Sequence, residues 1–150
     1  MTNASSAVTA LFRAAIGGDA EGIDSATARL DADGWAGSVR HVFAVFGQAV
    51  QRRFPPGYTR ADIVRFVADV RAASHDPGSM SADTAEELVR VALGEVDLDP
   101  ELGFEEVVTP QISLAVAVLR DERLSDAELD EFFTGVEQQV EGWLAADRDA

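Results

Sequence analysis

The chain has 150 residues, 47% of them hydrophobic, no cysteine, and a formal net charge of −15. That length supports a hydrophobic core without covalent staples, and that apolar fraction excludes global disorder. The missing cysteines exclude disulfides, thiolate catalysis and cysteine-ligated zinc. The charge opposes direct nucleic-acid binding, which rewards neutralisation of phosphates, and it repels anionic membranes.

The charge is unevenly spread. Residues 1–35 carry a net −3, residues 36–75 a net +4 and residues 76–150 a net −16. A basic middle therefore precedes a very acidic second half, the least ordinary feature of the sequence. Lysine is absent and every basic side chain apart from His41 and His75 is arginine. With abundant Ala, Asp, Val and Gly, this composition suggests a GC-rich bacterial genome, with a halophile as the second reading. The first residues show no basic stretch leading into an apolar run, so no secretory signal is expected. The apolar stretch 112–119 falls far short of the roughly 20 residues that a membrane span needs. A cytoplasmic protein without a membrane partner is the expectation.

Apolar residues recur at intervals of three and four almost throughout, which predicts helices. The first covers about 6–16, with Val8, Leu11, Phe12 and Ala15 on one face, and stops at Gly17-Gly18. A short second helix turns Ile23, Ala26, Thr27 and Leu30 inward and ends before Asp33-Gly34. The third spans about 35–53 and buries Val39, Val42, Phe43, Phe46, Ala49 and Val50. His41, Val45, Gln48 and Arg52 fall on its outer face. Pro55-Pro56-Gly57 breaks it, and Pro56-Gly57 suits the centre of a type II turn.

Thr59 caps the fourth helix, with Asp62 at its third position and Tyr58 and Ile63 as staple partners. Ile63, Phe66, Val67 and Val70 face its core. His75 lies at the end of that helix, where its cation meets the dipole favourably, and residues 75–79 form a turn. Ser81 caps a fifth helix that turns Leu88, Val89, Ala92, Leu93 and Val96 inward.

Asp99-Pro100 reads as a cap followed by proline, opening a short helix or turn through Phe104 and Val107. Residues 104–108 are the one place where a brief strand would fit. Thr109-Pro110 repeats the signature and opens a helix over 112–119, apolar nearly all round. The last helix starts at the capping box Ser125-Asp126-Ala127-Glu128, with Leu124 and Leu129 as staple partners. Leu129, Phe132, Phe133, Val136, Val140, Trp143 and Leu144 line its inner face, and residues 147–150 fray. The fold predicted is all-α: a single-domain bundle over residues 1–150, of six to eight helices, with a central buried helix near 110–120.

Catalytic and metal motifs are absent. Asp97-Leu98-Asp99 begins like a calcium loop, but Leu102 and Val108 stand where glycine and a bidentate glutamate belong. The loop begun at Asp31 fails likewise at Ala36 and Val42. Neither histidine has a glutamate three residues before it, as a di-iron bundle needs. No His-Glu-x-x-His, Gly-x-Ser-x-Gly or phosphate-binding glycine loop occurs. Glu86-Glu87 and Glu105-Glu106 point about 100° apart on a helix and form no dyad; Glu86 pairs more simply with Arg90. No catalytic residue, metal site or cofactor is expected.

Residues 121–132, Asp-Glu-Arg-Leu-Ser-Asp-Ala-Glu-Leu-Asp-Glu-Phe, resemble a helix junction of tellurite-resistance-B-type helical domains. The capping box accounts for the pattern, and no function is carried over from it.

The best functional candidate is the basic turn formed by Arg52, Arg53, Tyr58 and Arg60. Three guanidiniums beside a phenol ring can grip a carboxylate, a phosphate or an acidic peptide. Arg52 and Arg53 also complement a helix C-terminus, and Arg65 can pair with Asp62 and Asp69. Arg60 has no such local reason, because a cation at a helix start is mildly unfavourable. The patch can equally dock on the acidic half of this chain, or of a second copy.

The expected function is a non-catalytic protein-interaction or regulatory module with a charge-polarised surface and a protein partner, a homodimer being possible. The alternatives are a small-molecule-binding protein or enzyme of an unrecognised helical family, and an acidic mimic of nucleic acid.

Overall fold

The computed structural model describes residues 3–35, 37–74 and 76–149. Among them the chain is all-helical, as the periodicity predicts, with no strand. The elements are α1 (Asn3–Gly17), α2 (Ala20–Ala32), α3 (Ser38–Arg53), α4 (Arg60–Ala73), a 3-10 turn (Pro77–Ser79), α5 (Ala82–Ala92), α6 (Phe104–Glu122) and α7 (Asp126–Asp149). Among the described residues no helix is long and apolar enough to cross a membrane. The chain divides into two compact units. One comprises residues 1–45 and 119–150, the other residues 46–118, so α3 and α6 contribute to both.

In the first unit α1 and α2 form a tight hairpin. Asp19 reverses the chain: its amide donates to Ala14 O at 2.9 Å, and its carboxylate accepts from Gly22 N at 3.0 Å as the cap of α2. Ala7, Val8, Leu11, Phe12 and Ala14 of α1 are buried, as are Ala26 and Leu30 of α2. Val42, Ala44 and Val45 of α3 and Leu129, Phe132, Phe133, Val136 and Val140 of α7 complete the core. Each large apolar side chain buried contributes about 1.5–3 kcal/mol, which is why this face rather than helix propensity holds α7 in place. The predicted capping box is present: Glu128 N donates to Ser125 Oγ at 3.2 Å, and Ser125 N to Glu128 Oε1 at 3.0 Å. α7 continues to Asp149, past the expected fraying point, and Asp147 pairs with Arg40.

In the second unit the core comprises Phe46, Ala49, Val50 and Phe54, then Ile63, Phe66 and Val67 of α4, Met80, and Ala85, Leu88 and Val89 of α5. Val107, Val108, Leu114, Ala115 and Val118 of α6 join them. Arg71 Nε donates to Met80 O at 2.8 Å, fixing the connection between α4 and α5.

Several expectations need correction. α6 begins at Phe104, so Thr109-Pro110 lies inside it rather than opening it, and 104–108 is helical, not extended. Gly103 takes the place of the expected cap: its carbonyl accepts from Val107 N at 3.1 Å, and its amide donates to Glu106 Oε1 at 3.2 Å. Pro110 fits because its fixed φ is helical, and it forgoes one backbone bond. Asp99 closes a local turn instead, accepting from Glu101 N at 2.9 Å. Within the stretch expected to be buried, Leu114, Ala115, Val118 and Leu119 are buried, and Ser113 is exposed.

α3 begins at Ser38, because Trp35 takes a left-handed φ of 63° that no helix continues. His41 and Val45, expected on its outer face, are only 6% and 1% exposed. Ser38, His41, Ala44 and Val45 are covered as well as Val42, Phe46, Ala49 and Val50, so burial extends over more than half the helix circumference. His75, expected at the end of α4, lies outside the described residues.

Candidate functional site

The basic turn is built outward from Phe54. Its amide continues the helical pattern to Val50 O at 2.9 Å, and its ring is 3% exposed. The ring meets Phe66 edge-on at 5.5 Å and Tyr58 at 6.0 Å. Arg53 lays its guanidinium over both phenylalanines, 5.1 Å from the Phe54 centroid and 5.5 Å from that of Phe66. Such stacking holds a cation on the surface in one orientation.

The chain then reverses at Pro55-Pro56-Gly57. Tyr58 N donates to Pro55 O at 3.3 Å and Gly57 has a φ of 103°, the type II geometry that the sequence predicts. Thr59 and Asp62 form the expected reciprocal cap: Thr59 N donates to Asp62 Oδ2 at 2.9 Å, and Asp62 N to Thr59 Oγ1 at 3.2 Å. The Thr59 backbone donor holds the Asp62 carboxyl below its ordinary range, with Arg65 and Arg53 adding to the effect.

A residue that sequence reasoning missed completes the site. α5 ends in a Schellman motif, with Gly94 N donating to Val91 O at 3.0 Å and Glu95 N to Arg90 O at 2.9 Å. Gly94 supplies the left-handed φ of 80° that the motif requires. The reversal brings Glu95 back beside Arg90 and against Tyr58. Tyr58 Oη donates to Glu95 Oε2 at 2.5 Å, and Arg90 Nε to Glu95 Oε1 at 3.4 Å. Arg90 thus forms an ion pair with Glu95. The Tyr58 hydrogen bond holds the Glu95 carboxyl below its ordinary range; desolvation opposes it, and Arg90 and Arg60 add to the lowering. The same bond raises Tyr58 above the ordinary phenol value, with desolvation and the Glu95 charge adding to it and Arg90 opposing.

The structure therefore joins Arg53 and Tyr58 through Phe54, and sets Arg60 on the exposed first turn of α4, where its field reaches Glu95. Arg52 is exposed on the last turn of α3. Clefts lie between α1 and α2 around Arg13 and Arg29, along α7, and between Met80 and Pro110, none of them lined by these four residues.

A second polar cluster lies in the first unit. His41 Nδ1 faces Gly37 O at 3.3 Å and Nε2 faces Glu137 Oε1 at 3.7 Å. Ser38, one turn before His41, is 1% exposed, and its hydroxyl has no hydrogen-bond partner; Glu137 Oε1 lacks one as well. Serine, histidine and glutamate are the residue types of a nucleophilic triad, but here both ring nitrogens face other acceptors and the serine is not bonded to the base. The geometry does not activate a nucleophile. Among the described residues no group of three or more His, Asp or Glu side chains could hold a metal ion.

No protein-family model, curated protein or solved structure matches the chain.

Proposed function

We propose that the protein is a non-catalytic interaction or regulatory module, which offers the arginines at the α3–α4 turn to an acidic segment of a protein partner. The observation that carries this reading is the seating of Glu95. A carboxylate already rests on the Tyr58 hydroxyl beside Arg90, within the field of Arg60, so the surface has the chemistry to accept one. Arg53, held flat over Phe54 and Phe66, presents a second fixed cation on the same turn. Charge-assisted bonds of this kind give orientation and partner selectivity more than raw affinity.

The test is affinity capture from the native host at two salt concentrations, with the wild type and the Arg52→Ala/Arg53→Ala/Arg60→Ala variant side by side. The partner is expected to be weakened by the substitutions at low salt, and the difference to shrink at high salt. Identical partners with identical salt dependence would dismiss the turn as a binding surface.

A further inference from the structure

The outer face of the last turns of α7 is a groove lined by Gln138, Glu141, Gly142, Leu144, Ala145 and Arg148. It flanks the buried stripe Leu129, Val136 and Val140: Leu144 stands one turn beyond Val140 at the edge of that stripe, and Arg148, Glu141 and Ala145 turn progressively away from it. Leu144 stands out of it, 38% exposed, one of only a few large apolar side chains so placed among the described residues. Glu141 and Arg148 flank it. They are seven positions apart, roughly 10 Å along the axis, too far to pair with each other on one helix. Neither forms an ion pair with another described residue.

The order of these side chains is self-complementary. A second α7 laid antiparallel, about a two-fold axis passing between positions 144 and 145, sets Glu141 of each copy opposite Arg148 of the other. The same axis sets each Leu144 against Ala145, with Gly142 leaving room for close approach. Residues 141, 144, 145 and 148 repeat at the three-and-four spacing by which antiparallel helices interlock. The local charge also matters. Residues 76–150 carry a net −16, which repels a second copy at most orientations, whereas this face holds one acid and one base.

We propose that this face of α7 is an isologous homodimer contact, with Leu144 at its centre and two Glu141–Arg148 ion pairs at its rim. It is separate from the arginine turn and does not depend on the function assigned there. A contact of a few helical turns lies at the small end of specific interfaces, so the dimer is weak and reversible.

Sedimentation equilibrium of the full chain across the micromolar range tests it. The wild type is expected to dimerise, and Leu144→Asp to remain monomeric. Arg148→Glu and Glu141→Arg each place like charges opposite one another, and each is expected to weaken the dimer by about tenfold or more. The double variant Glu141→Arg/Arg148→Glu exchanges the charges and is expected to recover the wild-type constant. All three substituted positions are exposed, and unchanged helical circular dichroism confirms folding. A wild type that is monomeric throughout overturns the proposal, as does a dimer indifferent to Arg148→Glu or a double variant no better than the singles.

Discussion

The phenol of Tyr58 and the carboxylate of Glu95, 37 positions apart in sequence, share one short hydrogen bond that ties the residue before the α4 cap to the residue after the α5 turn. Tyr58 is the single tyrosine of the chain, so its ionisation can be followed by ultraviolet absorbance without interference from another phenol. Ionising it would set a phenolate against a carboxylate, and the bond accordingly raises its titration above the ordinary value of about 10. In Glu95→Ala the tyrosinate midpoint is expected to fall back toward that ordinary value. A midpoint the same in both proteins would show that the bond does not persist in solution.

The same contact sets a pH window for stability. Glu95 is held below the ordinary carboxylate range, so its contribution is present above that range and is lost as pH falls through its folded value. Tyr58 is raised, so its contribution is present below about 10 and is lost as pH climbs through its folded value. The thermal midpoint of Glu95→Ala should lie below that of the wild type between about pH 5 and 9 and converge with it in stronger acid. A difference that persists unchanged once acid has neutralised the Glu95 carboxyl would assign the effect to packing instead.

How far the sequence could be read follows from where its signals are local. The caps at Thr59, Ser81 and Ser125 and the turn at Gly57 are determined by neighbours within four residues, and each formed as expected. Thr109-Pro110 misled because cap-plus-proline describes a local fit that a helix interior can also tolerate, and the competing start at Gly103 lacks a capping side chain of its own. His41 misled for a different reason: the three-and-four pattern identifies the most apolar stripe but not how wide the burial is. Arg52, Arg53, Tyr58 and Arg60 were legible as a cluster because they are close in sequence. Glu95 was not, although Leu93-Gly94 carried a usable sign of the helix end that aims it. Glu137 had none, being one acid among many until α7 placed it against His41.

That pairing can be weighed by a double-mutant cycle. His41→Leu leaves the Glu137 carboxylate, whose side chain is 21% exposed, facing apolar neighbours, and is expected to cost about 1–3 kcal/mol. In Glu137→Leu/His41→Leu both polar groups are gone, and a large part of that loss is expected to return. Urea denaturation of the two singles and the double gives the coupling directly. Strictly additive losses would show that the two side chains are neighbours without interaction.

Gly22 and Gly47 both lie within helices but should respond oppositely to alanine. A Cβ on Gly22 would sit 2.5 Å from Asp19 Oδ2 and 2.9 Å from Ala14 Cβ, so it collides with the cap and with the facing helix of the hairpin. Overpacking of about 1–3 kcal/mol then exceeds the roughly 1 kcal/mol gained in helix propensity, and Gly22→Ala destabilises. A Cβ on Gly47 meets nothing within 4 Å, so Gly47→Ala keeps the propensity gain of about 0.5–1 kcal/mol. Two shifts of the same sign in thermal denaturation would contradict the close approach of α1 and α2.

Arg123 ends α6 in a left-handed conformation, with φ of 50°, and its amide donates to Arg120 O at 3.2 Å. A side-chain-bearing residue there costs roughly 1–2 kcal/mol, of which glycine relieves most while giving back about 0.5–1 kcal/mol in unfolded-chain entropy. Arg123→Gly should therefore stabilise the protein by about 0.5–1 kcal/mol, a rise of roughly 2–4 °C or less in thermal midpoint. Charge is the confounding factor, since the arginine stands in the acidic half of the chain. Arg123→Ala removes the same charge but keeps the backbone cost, so it should show little gain. Equal shifts in the two variants would attribute the change to electrostatics; a rise confined to glycine isolates the backbone as its cause.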